Sequence, residues 1–171
     1  CGKVAGGTFH SFCNMILRRY SKLVGFQGNF TILDESDAES AIGLIRAKLG
    51  FNKKEIRFPL KSTIAEVISK SINKDIGIEE ALKSDYPHFT HWAQEIKLIQ
   101  LEYQNYKKEK QIMDYDDLLL YTEKLLKENN DIKEKISLFY KYLMVDEFQD
   151  TNKIQANIAY LLASEHKNIM V

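Results

Sequence analysis

Only two cysteines, Cys1 and Cys13, stand in 171 residues. So few thiols make no disulfide framework, and they suit a reducing compartment, so a cytoplasmic location is expected. Prolines also number two, and no tract is of low complexity, so no segment reads as a linker. No apolar run approaches the roughly 20 residues that a membrane-crossing helix needs. Nor does an apolar segment follow Cys1-Gly2-Lys3, as it would in a secretory leader. Net charge is missing too: 24 basic side chains balance 24 acidic ones. That balance argues against a surface that binds polyanions as a whole, while leaving room for a local groove. No stretch repeats another. What remains, 44% apolar and 28% charged residues, is the composition of a globular domain long enough to bury a sizeable core.

The most informative stretch runs from Leu143 to Asn152, Leu-Met-Val-Asp-Glu-Phe-Gln-Asp-Thr-Asn. The apolar run Tyr142 to Val145 is short and ends in two acids, which reads as a buried parallel strand. Parallel sheets bind ligands beyond the carboxyl ends of their strands, and Asp146 and Glu147 sit at that end. Adjacent carboxylates repel one another and resist burial. Mg²⁺ would resolve the conflict, since it takes one or two carboxylates plus waters and substrate phosphates. The second acid is then free to polarise a water for attack on a γ-phosphate. The plainer alternative is that the acids end a strand and that Asp150 or Asn152 caps the next helix.

Upstream, Val4 to Thr8 reads as a short strand, and Gly6-Gly7 lets another group approach the backbone. A helix should follow with Phe12, Ile16, Tyr20 and Leu23 on one face. Gly25 to Asn29 reads as a loop and Phe30 to Leu33 as extended chain. Asp34 looks like the N-cap of a helix striped by Ala38, Ala41, Ile42, Ile45 and Leu49, with Gly50 in the place of a C′ glycine. Thr63-Ile64-Ala65-Glu66 has capping-box spacing ahead of Val67, Ile68 and Ile72. Ile78 to Lys83 is a short helical turn. The longest helix is expected over Phe89 to Lys108, its stripe Phe89, Trp92, Ile96, Ile99, Tyr103 and Tyr106 facing a core. Lys107 to Lys110 reads as a solvated helix end. His88 and His91 have no partners for a zinc site. Asp114 can cap the helix that opens Asp114-Tyr115-Asp116-Asp117, where acids suit the dipole. Ile132, Ile136 and Phe139 mark one further helix, Ile154, Ile158, Leu161 and Leu162 another. Asn168 to Val171 begins an apolar strand.

The string Val145 to Asn152 closely resembles the Walker B segment, Asp-Glu-x-Gln, of UvrD/Rep-type superfamily 1 DNA helicases. Gly7-Thr8-Phe9-His10 resembles the Thr-Phe-His segment of the same helicases, and Asp114 to Leu119 their Asp-Tyr-Asp-Asp-Leu-Leu stretch. The resemblance implies an α/β, predominantly helical fold: a partial RecA-like parallel sheet of about three strands with a large all-α insertion. Residues 1–30 and 111–171 would form the ATPase part and 31–110 the inserted helical subdomain. It implies an ATP-dependent DNA helicase that uses ATP and Mg²⁺ and moves 3′ to 5′ on single-stranded and duplex DNA. Asp146 would hold Mg²⁺ through water, Glu147 would position the attacking water, and Gln149 would sense the γ-phosphate. Thr8, Phe9 and His10 would lie on the single-strand path, offering phosphate donors and a stacking ring. No Gly-Lys-Ser/Thr phosphate loop stands in the chain, since Gly2-Lys3-Val4 lacks the upstream glycine and the following hydroxyl. The expectation is therefore a piece of a larger helicase, without its phosphate loop and second RecA-like domain. Alone it should be inactive, and it should be prone to self-association through unpaired strand edges. Two alternatives stay open: a helicase–nuclease subunit of the RecB or AddA type, and a non-enzymatic helical interaction module.

Overall fold

A computed structural model of the chain describes residues 4–52 and 57–171. In chain order the elements are α1 (Phe9–Tyr20), a 3-10 turn (Ser21–Val24), β1 (Thr31–Ile32), α2 (Glu35–Lys48), α3 (Lys61–Lys74), α4 (Ile78–Asp85), a 3-10 segment (Pro87–Trp92) and α5 (Ala93–Lys110). Then come β2 (Ile112–Met113), α6 (Tyr115–Glu128), α7 (Asn130–Phe139), β3 (Leu143–Met144), a 3-10 turn (Phe148–Asp150), α8 (Lys153–Leu162) and β4 (Ile169–Met170). The fold is α/β and predominantly helical, and each strand pair is parallel. The described residues group into two compact units, one of Thr31–Asp116 and one of the residues before Thr31 with Asp117–Val171.

In the Thr31–Asp116 unit, β1 lies parallel to β2, with Leu33 N–H donating to the Met113 carbonyl at 2.8 Å. Four helices bury one apolar cluster around Ile42, Ile64, Leu82, Ile96, Ile99 and Tyr103. Each side chain of that size taken out of water contributes roughly 1.5–3 kcal/mol. Asp34 caps α2 by accepting the Asp37 amide at 2.8 Å, and Gly50 (φ 82°) takes the left-handed place after its end. The expected capping box at Thr63 does not form. α3 starts earlier, at Lys61, after Leu60 in extended conformation, so Thr63 lies inside the first turn. A second correction concerns Lys107, read from its charged neighbours as solvated. It is 3% exposed, pairs with Asp114 at 2.7 Å and lies 4.4 Å from the Tyr103 ring centroid. The Asp114 carboxylate also accepts the Tyr103 hydroxyl at 3.0 Å, and Asp116 accepts the Asn73 amide at 2.7 Å. These acids of the Asp-Tyr-Asp-Asp stretch thus satisfy neighbouring donors within the fold.

The other unit is built on α1, α6, α7 and α8 with β3 parallel to β4. Leu143 N–H donates to the Asn168 carbonyl and Val145 N–H to Met170, both at 2.9 Å. Its core takes Cys13, Ile16 and Leu17 from α1, Leu118, Leu119, Leu125 and Leu126 from α6, and Ile154, Ile158 and Leu162 from α8. The α1 face is therefore rotated from the expected one, and Leu23 falls in the 3-10 turn, 52% exposed. Val4 to Thr8 is not a strand. Its backbone is exposed, two glycines weaken it, and no strand among the described residues pairs with it. The run before Asp146 is parallel as expected but not buried: Tyr142 and Met144 are 79% and 72% exposed, because β3 has one described neighbour. Phe139 likewise points outward, at 77% exposed.

Candidate functional site

β3 delivers Asp146 and Glu147 to the carboxyl end of its parallel pair, where the chain turns sharply. Glu147 adopts the left-handed conformation, φ 49° and ψ 45°, which costs a non-glycine residue roughly 1–2 kcal/mol. The turn is closed from both sides. Glu147 N–H donates to Asp146 Oδ1 at 3.1 Å, and the Glu147 carbonyl accepts the Asp150 amide at 2.9 Å. Gln149 Nε2 donates to Glu147 Oε2, so the side chains of Glu147 and Gln149 form one unit. All three residues are exposed. No pairing of Asp146 or Glu147 with a cation occurs among the described residues. The strained backbone at Glu147 and its bond to Gln149 carry no signal in composition or periodicity.

Helix capping does not explain the two acids. Asn152 caps α8: its side chain accepts the Gln155 amide at 2.8 Å, and Gln155 Oε1 accepts the Asn152 amide at 3.0 Å. Thr151 Oγ1 donates back to the Phe148 carbonyl at 2.8 Å, which fixes the entry to that cap. The plainer reading of the motif is thus true of Asn152 and leaves Asp146 and Glu147 without a capping task.

The donor set fits a hydrated divalent ion. Two adjacent carboxylates offer hard oxygens, and Asp146 Oδ2 and Glu147 Oε1 accept no hydrogen bond from the described residues. Among the described residues no cluster of three or more His, Cys, Asp or Glu side chains is arranged to hold a metal. A Mg²⁺ here would accordingly depend on substrate phosphates and water for most of its shell, as that ion ordinarily does.

The second predicted segment has a double character. Thr8 is the N-cap of α1, accepting the Ser11 amide at 3.2 Å, while Ser11 Oγ donates to the Thr8 carbonyl at 2.8 Å. Phe9 and His10 occupy the first turn, half-buried. One turn on, Phe12 meets Tyr140 edge to face at 5.5 Å, tying α1 to the segment that leads into β3. No hydrogen bond or ring contact of Thr8 or Phe9 reaches the Asp146–Gln149 turn. The structure joins Asp146, Glu147 and Gln149 by hydrogen bonds in one turn and places Thr8, Phe9 and His10 at the start of α1.

Comparison with known proteins agrees with the motifs. The profile described as UvrD/REP helicase N-terminal domain matches residues 1–171. An ATP-dependent DNA helicase PcrA of Staphylococcus epidermidis strain RP62A is 30% identical over 164 residues, 96% of this chain and 22% of that protein. The protein of the same name in Staphylococcus aureus strain Mu50 is 32% identical over 165 residues, again 96% of this chain and 22% of that one.

Proposed function

This chain belongs to the UvrD/REP helicase N-terminal domain family, and we propose that it serves as the part of an ATP-dependent DNA helicase that handles the magnesium nucleotide and one stretch of the DNA path. The chain spans about 22% of the length of the curated relatives it matches, so the activity is that of a longer protein. The observation that carries the reading is the exposed Asp146–Glu147 pair at the carboxyl end of a parallel strand, with the capping duty assigned to Asn152 instead.

Mg²⁺ supplies charge neutralisation of the triphosphate when bound. Asp146, its backbone-facing oxygen fixed by the Glu147 amide, would hold that ion through water with the other oxygen. Glu147 would accept a hydrogen bond from the attacking water and orient it. Its carboxylate takes no part in the α8 cap, which Asn152 and Gln155 make. Gln149, hydrogen-bonded to Glu147, would respond when the γ-phosphate competes for that bond, and so would report nucleotide state. Thr8, Phe9 and His10 would meet the single strand through hydrogen-bond donors and a stacking ring. Residues 1–30 and 111–171 would form the RecA-like part and 31–110 the inserted helical subdomain, in a cytoplasmic enzyme that moves 3′ to 5′. The 171 residues contain no Gly-Lys-Ser/Thr loop, so the chain alone would neither hydrolyse ATP nor unwind DNA, because phosphoryl transfer needs that positive cradle.

The test is Glu147→Gln in a full-length helicase that contains this chain. Hydrolysis should fall about 100-fold or more while nucleotide still binds. Unchanged hydrolysis would favour the non-enzymatic helical module. A nuclease domain elsewhere in the full-length protein would instead assign the chain to the RecB or AddA type.

A further inference from the structure

The Thr31–Asp116 unit carries a groove of about 460 Å³ that includes none of the candidate site residues. Its floor is apolar, with Ala38 and Ile42 one turn apart on α2 and Ala65 and Ile68 on α3. Its rim is acidic: Glu35 and Glu39 recur four apart on α2, and Glu66 stands on α3. An acid in the first turn of a helix is explained by the helix dipole, which accounts for Glu35. Glu39 and Glu66 lie beyond the first turns of their helices and have no such explanation.

Neighbouring cations cancel this rim only at Glu39. Lys70 lines the groove, but its ammonium bonds Ser84 Oγ at 2.9 Å and the Asp85 carboxylate, so its charge is already matched. Lys61 stands 3.6 Å from Glu39 with its side chain 47% exposed, a pairing of little energetic weight. Glu66 accepts only the neutral hydroxyl of Tyr86. The groove therefore combines an apolar floor with a rim of net negative charge, on which Glu35 and Glu66 meet no cation among the described residues. Its volume falls inside the roughly 300–1,000 Å³ typical of ligand sites.

We propose that this groove docks a basic amphipathic peptide segment of a partner protein. Apolar side chains four apart would enter over Ala38 and Ala65, in the manner of a helix lying in a groove, and Lys or Arg side chains would meet Glu35, Glu39 and Glu66. Charge decides the class of occupant: nucleic acid and acidic peptides are repelled by the same rim that attracts a basic one. The inference is independent of the nucleotide reading, since it uses none of those residues.

A labelled, amidated peptide of about twelve residues, with leucines four apart among lysines, is titrated into the 171-residue chain and followed by fluorescence anisotropy. Saturable binding is expected, weakening as salt rises. Both Glu39→Gln with Glu66→Gln and the groove-filling Ala65→Trp should weaken it about tenfold, a loss of about 1.4 kcal/mol. Circular dichroism checks that each variant folds. Should the double variant unfold, Glu66→Gln alone, at an exposed position, should still weaken binding measurably. The proposal is overturned by variants that bind as wild type, by equal binding of a peptide with glutamates for lysines, or by saturation with spermidine but not with the peptide. It is equally overturned if sedimentation shows a dimer of this chain that Ala65→Trp dissociates, which would make the groove a self-interface.

Discussion

Lys107 and Asp114 show how little a single residue's identity says about its place. Three lysines and a glutamate fill Lys107 to Lys110, and solvent is the ordinary destination for such a run. Lys107 alone turns inward, because the Tyr103 ring and the Asp114 carboxylate offer it a charged and an aromatic partner in the interior. That pairing joins residues seven apart across the end of a helix, which no helical periodicity announces. Lys107→Met leaves Asp114 without its cation and should cost about 3 kcal/mol in urea unfolding, whereas changing both residues to apolar ones should cost much less. Cys13 offers a second test at the same scale. Burial pushes its thiol from 9.0 up to about 12. A thiol that holds its proton more tightly when folded leaves stability level below pH 9 and lowers it as pH rises through 9.0 to about 12. Cys13→Ala should lack that share of the alkaline loss, so the stability difference between wild type and variant should shrink across this window. At neutral pH, Cys13 should resist alkylation until the chain unfolds.

Helices were the legible elements, since their stripes are set by local spacing. The stripe of α2, the left-handed Gly50 after it, and the faces of α3, α5 and α8 stand where the apolar periods put them. Where a helix begins was less legible. Thr63 carries the right capping spacing, yet tertiary packing starts α3 at Lys61, and Phe89 and Trp92 fall in a 3-10 segment before α5 rather than in it. Strands were harder still, because pairing is non-local. The apolar run at Tyr142–Val145 correctly marks a parallel strand, but its burial depends on neighbours that spacing cannot supply. Val4–Thr8 has strand-like composition and no described partner. In the candidate site, the strand-end position of the Asp-Glu pair and the cap at Asn152 were legible from residue types, while Gln149 entered only through the family resemblance. The left-handed turn at Glu147 was not, because it arises from the bonds to Asp146 and Asp150. The division of labour between acids and cap can be checked at this scale. Asn152→Ala should lower stability by about 1 kcal/mol while leaving the carboxylates able to act, as read from urea unfolding alongside nucleotide binding.

For the molecule as a whole, the family assignment rests on motifs spread from Thr8 to Asn152 and on a profile that matches every residue from 1 to 171. The exposed Tyr142, Met144 and Met170 give the β3–β4 pair an apolar, unpaired character, so the chain alone should associate with itself at high concentration, as sedimentation would show. It should also show no DNA-stimulated ATP hydrolysis. Under the proposed function, Asp146 and Glu147 manage a magnesium nucleotide. The most direct test of that role is the affinity for ATP of a full-length helicase containing this chain, measured with Mg²⁺ and again with the metal chelated, for wild type and Asp146→Asn. The variant is expected to lose about tenfold or more in affinity when Mg²⁺ is present and nothing when it is chelated. Equal binding of the two proteins under both conditions would contradict that role.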